Sequence, residues 1–129
     1  MNEEKPIVNV EVSEELRATI EKTIKELKEK DAKLRVVYPI IVAGDEFDDK
    51  ELYVGYFRQP SFQAFSKYLT AAQHNQAVAM RTLANDCFLA GDKELIDDDS
   101  LFLFGLMGNL SEIIKMRNSK LVNLSKPGK

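Results

Sequence analysis

LRVVYPIIV at residues 34–42 and LYVGYFR at residues 52–58 are two β-rich runs, and the acidic segment AGDEFDDK at residues 43–50 separates them. The flanking runs carry β-branched and aromatic side chains, so the sequence predicts a β-hairpin. Pro39 has no N–H to donate to a ladder, which predicts an edge strand or a bulge at that position. Because an isolated hairpin is marginal in water, it must pack on helices or share its sheet with another subunit.

A charged amphipathic helix is predicted upstream of the hairpin, over residues 13–31. Ser13 offers an N-cap hydroxyl, and Glu14 and Glu15 place negative charge in the first turn. The apolar positions recur every three or four residues and form one narrow stripe: Leu16, Ile20, Ile24 and Leu27. Such a helix either docks on the rest of the domain or forms a two-stranded coil, and we expect docking. Apolar and polar residues alternate at 7–12, which predicts a short strand before the helix.

Three helices are predicted downstream of the hairpin. Pro60 suits the start of the first, residues 74–76 separate it from the second, and Gly91 ends the second. Asp99 or Ser100 can cap the third. The apolar positions of the three helices are Phe62, Phe65, Leu69 and Ala72, then Ala77, Met80, Ala84, Cys87 and Phe88, and finally Leu103, Leu106, Met107, Leu110, Ile113 and Ile114.

The predicted fold class is α+β, mainly α, with an N-terminal amphipathic helix, a β-hairpin and a three-helix C-terminal bundle. A length of 129 residues fits one domain, 1–129. Its parts are a strand and charged helix at 1–33, the hairpin at 34–58, a helical part at 60–117 and a basic tail at 118–129.

Charge and hydropathy argue against two classes of partner. Eighteen basic and 21 acidic side chains give a net charge of −3, which argues against binding of nucleic acid. No apolar run reaches the ~20 residues of a membrane span, and the acidic N-terminus is unlike a signal peptide, so we expect a cytosolic protein without membrane contact. Acids concentrate at 45–51 and 92–99, whereas five bases and no acids follow residue 114. This gradient suits head-to-tail self-association or an asymmetric partner.

No catalytic, metal or cofactor site is expected. A calcium loop starting at Asp45 would need an oxygen ligand where Phe47 stands and a glycine where Lys50 stands. The single cysteine, Cys87, lies on an apolar helix face, where a buried and unreactive thiol is expected, and the single His74 would have to be brought to it by folding. The glycines match no phosphate-binding loop. We therefore expect a protein that is not an enzyme.

Aromatic residues give the candidate binding surface. Tyr56 and Phe57 point to opposite faces of a strand, and Phe102 and Phe104 lie about 200° apart on a helix. One small core cannot easily absorb both members of each pair, so some rings are expected to meet a partner. The predicted partner-binding residues are Tyr56, Phe57, Phe62, Phe102 and Phe104. The alternative is a core with scattered exposed rings.

Three segments carry a family resemblance through their order and spacing: YFRQP at 56–60, LANDCFLAGD at 83–92 and DDSLFL at 98–103. Together they resemble the tail assembly chaperones of tailed bacteriophages and prophages. In that family an aromatic strand ending in Pro precedes a helix, an Asn-(Asn/Asp)-Cys-aromatic-x-Gly-Gly-Asp segment and a final helix. The resemblance covers Tyr53 to Leu124, with Ala90 standing where the family has Gly.

The resemblance implies a non-enzymatic protein of the host cytoplasm that binds the tape-measure protein and helps to recruit tail-tube subunits. Its partners would be those two proteins and, in a homo-oligomer, further copies of itself. Two alternatives remain. The chain could be a structural component of the virion, such as a tail, head-completion or packaged protein, or a small cytosolic adaptor domain unrelated to phage.

Overall fold

A computed structural model describes residues 11–114 and 117–124 of the chain. The fold class is α+β, as predicted. The helices and strands are α1 (Glu14–Lys30), β1 (Val37–Ala43), β2 (Leu52–Arg58), α2 (Phe62–Ala72), α3 (Gln76–Cys87), β3 (Phe88–Gly91), α4 (Glu94–Asp97) and α5 (Asp99–Leu101), followed by a π-helical segment (Phe102–Leu106) and a 3-10 helix (Met107–Ile114).

The predicted hairpin forms, and it belongs to a three-stranded antiparallel sheet in the order β1-β2-β3. The β1–β2 register is regular and places Pro39 opposite Tyr56. Because β1 is an outer strand of this order, Pro39 lies at an edge, where a missing N–H costs no ladder bond. The β2–β3 register shifts between Tyr56 and Phe57, which leaves Leu89 as an extra, bulged residue on β3.

Apolar side chains cover both faces of the sheet. One face carries Ile40, Val42 and Phe57, and it packs on α3 and the C-terminal helical segments. The opposite face carries Val37 and Tyr56, and it packs on α1. The remaining buried members of the larger core are Tyr53, Met80, Leu83, Ala84, Cys87, Leu95, Ile96, Leu101, Phe102, Leu106, Leu110 and Ile113. The sheet is therefore the middle layer of three.

Helix α1 docks on the sheet, which confirms the docked alternative over a two-stranded coil. The Ser13 hydroxyl accepts a hydrogen bond from the Leu16 N–H at 3.0 Å, so the predicted N-cap is confirmed. Ile20 is buried against Val37 and Tyr56, and the rest of the predicted apolar stripe is half-buried around it. Apart from residues 11 and 12, the strand predicted over residues 7–12 lies outside the described residues.

The predicted three-helix C-terminal bundle is not confirmed. Helices α2 and α3 form where expected, but α3 ends at Cys87 because residues 88–91 pair with β2 as a third strand. Gly91, predicted to end a helix, instead ends this strand with φ +108°, a conformation that favours glycine. The last predicted helix is a succession of short α, π and 3-10 turns, although Leu106, Leu110 and Ile113 are core residues as expected.

Residues 117–124, which include all of the described part of the predicted basic tail, have no regular helix or strand. Residues 125–129 of the tail lie outside the described residues.

Asp92 joins the hairpin to the end of β3. Its carboxylate accepts hydrogen bonds from the Val54 N–H at 2.9 Å and from the Lys50 ammonium at 2.6 Å. Its own N–H donates to the Val54 carbonyl at 2.9 Å, so the two residues extend the β2–β3 ladder by one pair. Burial by itself would raise the pKa of Asp92, but the Lys50 hydrogen bond, the Val54 hydrogen bond and the Lys50 charge together lower it below 3.8.

We expect Asp92→Ala to lower the free energy of unfolding by about 1–2 kcal/mol at neutral pH, because the Val54 N–H loses its charged acceptor. Since the folded-state pKa of Asp92 is depressed, this stabilisation is present above the unfolded pKa and is lost as pH falls through the folded value. The free energies of unfolding of wild type and variant, measured with urea at a series of pH values, should therefore become equal in acid.

Asp49→Ala is the matched control, because Asp49 is an exposed aspartate of the hairpin loop, next to Lys50, and forms no ion pair with another described residue. Its effect should stay within about 0.5 kcal/mol. An Asp92→Ala protein as stable as this control at pH 7 would show that the junction contributes nothing.

Candidate protein-interaction surface

The five predicted partner-binding aromatics divide into two groups. Phe57 and Phe102 are 0% and 1% exposed, and Tyr56 is 6% exposed. These three rings have almost no free surface, so their predicted role as contact residues is corrected: they are core side chains. Phe62 and Phe104 are 88% and 85% exposed and remain available to a partner.

The physical reason for the correction is the second covering layer. Tyr56 and Phe57 do point to opposite faces of β2, but α1 buries Tyr56 while α3 and the C-terminal segments bury Phe57. The ring of Phe57 packs edge-on against Phe88, with centroids 5.7 Å apart. Residues 11–114 and 117–124 thus form two apolar clusters, and the expectation of a single core was too restrictive.

Phe102 is buried under the side chain of Arg81, whose guanidinium lies 5.2 Å from the ring centroid. Arg81 donates hydrogen bonds of 2.8 Å to the Ile96 carbonyl and to the Asp99 carboxylate. These two hydrogen bonds join α3 to α4 and α5. Phe102 is a core residue directly beneath them. Phe104, two residues further on, lies on the solvent side.

Helix α2 lies on the surface and contains no fully buried residue. Its Ser61 cap accepts a hydrogen bond from the Ala64 N–H at 3.1 Å, and Lys67 pairs with Asp86 of α3 at 3.0 Å. Tyr68 is half-buried against the larger core. Helix α2 is therefore attached to the domain by one side.

The other side of α2 is an apolar ridge, defined by Phe62, Phe65 and Leu69. Phe62 and Leu69 are exposed, Leu69 by 51%, while Phe65 is half-buried and stacks on Tyr68 with centroids 5.7 Å apart. The three residues stand at i, i+3 and i+7, the spacing at which one helix presents anchors to another. Exposed apolar surface of this kind marks interaction sites.

The helical spacing predicted a stripe that contains the ridge residues, but it did not determine which way the stripe faces. The sequence does hold a signal that one apolar line of α2 is exposed, because the same helix has a second apolar line at Ala64, Tyr68 and Ala71. All three are half-buried, and Tyr68 is the large side chain that reaches the core. With two apolar lines, only one can face inward.

A cleft of about 280 Å³ runs beside the ridge. It is lined by Gln59, Pro60, Ser61, Phe62, Phe65, Ile113 and Ile114. Because Ile113 belongs to the larger core, the floor of this ridge cleft is continuous with the interior. The ridge and the ridge cleft together form one apolar surface with a raised and a recessed part.

A second groove, of about 500 Å³, lies between α3 and the π-helical segment. Its exposed apolar side chains are Val78 and Leu103, and its polar rim includes Asn75, Asn85 and Asp99. This α3 groove could also receive a protein segment, but neither of its two exposed apolar side chains is aromatic, whereas the ridge exposes Phe62 by 88%.

Cys87 and His74 are the two residues that the sequence raised as a possible nucleophile pair. Burial, assisted by Asp86 and opposed by Arg58, raises the pKa of the Cys87 thiol to about 11, so it is protonated at neutral pH. His74 is exposed in the turn after α2, whereas Cys87 is buried. Within residues 11–114 and 117–124, no three His, Cys, Asp or Glu side chains are grouped to hold a metal ion. None of the helices in these ranges is long and apolar enough to cross a membrane.

The two groups of aromatic residues should differ sharply in stability measurements. Phe57→Ala is expected to lower the free energy of unfolding by about 3–5 kcal/mol, because it leaves a cavity in the larger core. Phe62→Ala should change it by no more than about 0.5 kcal/mol, because the ring is exposed. Chemical unfolding followed by circular dichroism tests both, and similar losses for the two variants would contradict this assignment of core and surface.

Comparison with known proteins supports the fold. No protein-family model matches the chain, and no curated protein matches it with significance. Among solved structures, the chain is similar to the uncharacterised protein rbstp2171 from Bacillus stearothermophilus, with a TM-score of 0.51 and 22% sequence identity. The match covers 77% of this chain and 98% of that one. At this identity the likeness establishes a shared fold.

Proposed function

We propose that this chain is a non-enzymatic binding protein that acts as a tail assembly chaperone for a phage or prophage. In this proposal the ridge and the ridge cleft hold amphipathic helical segments of the tape-measure protein in the host cytoplasm, while tail-tube subunits are recruited around it. The observation that carries the proposal is α2, a helix with no buried residue that presents Phe62, Phe65 and Leu69 on its outer side.

The shape of the surface favours a helical client. Side chains at i, i+3 and i+7 on α2 match the spacing of apolar residues on one face of a second helix packed alongside it. The ridge cleft beside them could take one large side chain of that helix. Lys67 is the charged residue of α2, and its pairing with Asp86 directs it away from the ridge.

The small size of the surface favours a reversible contact. The ridge and the ridge cleft comprise eight residues, whereas each side of a stable interface has about 20–30. Such a contact suits a protein that covers a client during assembly and then leaves it. Many copies along one long client would gain total affinity because each further binding event is local.

Polar substitutions in the ridge should weaken client binding without unfolding the chain. We expect Phe62→Ser combined with Leu69→Ser to weaken the affinity for tape-measure segments by at least about tenfold, because each anchor contributes on the order of 1.5–3 kcal/mol when fully buried. The probe is a set of fluorescently labelled peptides that together cover a phage tape-measure protein, and anisotropy during titration with micromolar concentrations of the chain measures the affinity.

Phe47→Ser is the matched control, since Phe47 is 85% exposed like Phe62 but lies in the hairpin loop. It should leave peptide affinity unchanged. Equal losses in the control and in the ridge variant would contradict a binding site on α2, and absence of binding by the wild-type chain would overturn the chaperone proposal.

Mass spectrometry of purified particles separates the chaperone from a structural virion component. An assembly factor acts before the particle is complete, so we expect the chain in lysates and in assembling tails but not at stoichiometric levels in finished virions. Stoichiometric presence in virions would favour the structural alternative.

A further inference from the structure

The two ends of the β1–β2 hairpin carry opposite charges. At the loop end lies an acidic tip, which we define as residues 45–51; its exposed side chains include Glu46, Phe47, Asp49 and Glu51. The Asp48 carboxylate accepts from the Asp45 N–H, and the Asp45 carboxylate accepts from the Phe47 N–H, both at 2.8 Å. These bonds hold the loop in shape while Phe47 projects into solvent, 85% exposed.

At the opposite end of the hairpin lies a basic cleft of about 190 Å³. Its lining residues are Lys33, Leu34, Arg35, Val36, Arg58, Gln59, Pro60 and Ser61. Lys33, Arg35 and Arg58 are exposed, and none of them forms an ion pair with another described residue. Three cations therefore surround a recess whose apolar lining is Leu34, Val36 and Pro60.

The tip and the cleft are complementary in charge, and the cleft has room for the exposed ring of the tip. A cavity of about 150 Å³ is large enough for benzene, so the volume of about 190 Å³ can hold the ring of Phe47. Arginine guanidinium groups, such as those of Arg35 and Arg58, bind favourably over an aromatic face. Glu46, Asp49 and Glu51 around that ring would then face the three cations around the cleft.

One molecule cannot make this contact with itself. The paired strands hold seven residues each, so the tip and the cleft are about 20 Å or more apart along a rigid hairpin. We infer that the acidic tip of one copy inserts Phe47 into the basic cleft of a second copy. The contact is head-to-tail, so it generates a ring if the rotation closes and a filament if it does not.

The inference does not depend on the proposed client binding, because its charged groups and Phe47 lie outside the ridge and the ridge cleft. The two clefts share only Gln59, Pro60 and Ser61. It accounts for the uneven distribution of charge on a chain whose net charge is only −3. The ion pairs of this contact would lie at its exposed rim, so association should depend strongly on salt.

Charge reversal at each end tests the contact. We expect the wild-type chain to self-associate at about 50 mM salt and its dissociation constant to rise by at least about tenfold at about 500 mM salt. Lys33→Glu, Arg35→Glu and Arg58→Glu together make both ends acidic, and Glu46→Lys, Asp49→Lys and Glu51→Lys together make both ends basic. Each triple variant should be monomeric in sedimentation velocity, because its two ends repel.

Recombining the charges distinguishes lost contact from lost folding. An equimolar mixture of the two triple variants should associate, and the sixfold variant with both ends exchanged should regain self-association. Phe47→Ser should weaken self-association and leave the affinity for tape-measure peptides unchanged, whereas the ridge variant should do the reverse. A wild-type chain that stays monomeric at low salt, or a folded sixfold variant that does not associate, would overturn the inference.

Discussion

The structure depends on one constraint in the central strand β2: Tyr56 and Phe57 are consecutive, so they point to opposite faces, and both are buried. A strand with apolar side chains on both faces needs a cover on each side. Helix α1 is one cover, and α3 with the C-terminal segments is the other. Strand β3 then completes the outer side of β2, and Asp92 fixes its end to Val54.

Local signals in the sequence predicted the elements whose structure is locally determined. The Ser13 cap and the stripe around Ile20 predicted α1, and the flanking β-rich runs with Pro39 predicted a hairpin with an edge strand. Strand β3 was missed because Phe88 and Leu89 also fit a helix; only the distant pairing with β2 makes them extended. The last predicted helix is divided into short α, π and 3-10 segments, and each of them contributes core residues: Leu101, then Phe102 and Leu106, then Leu110 and Ile113.

The candidate surface was only partly predictable, for a related reason. Aromatic content indicated that some rings would be exposed, and Phe62 and Phe104 are. Whether Tyr56 or Phe57 would be exposed depended on whether a second layer of helix covers the sheet. The sequence did not decide this, because α1 could either dock on the sheet or form a two-stranded coil. The inward and outward lines of α2 were both apolar, so hydropathy could not orient the helix without its contact to the core through Tyr68.

Pro39 has a consequence for solubility. Outer strands with free N–H and C=O groups are templates for uncontrolled pairing, and natural proteins interrupt them with proline, charge or bulges. Here β1 has Pro39 near its middle and β3 is short and bulged, so both outer strands are poor templates for amyloid-like stacking. A molecule that exposes an apolar helix can then meet other chains through side-chain contacts, which are reversible, instead of through backbone pairing, which tends to propagate.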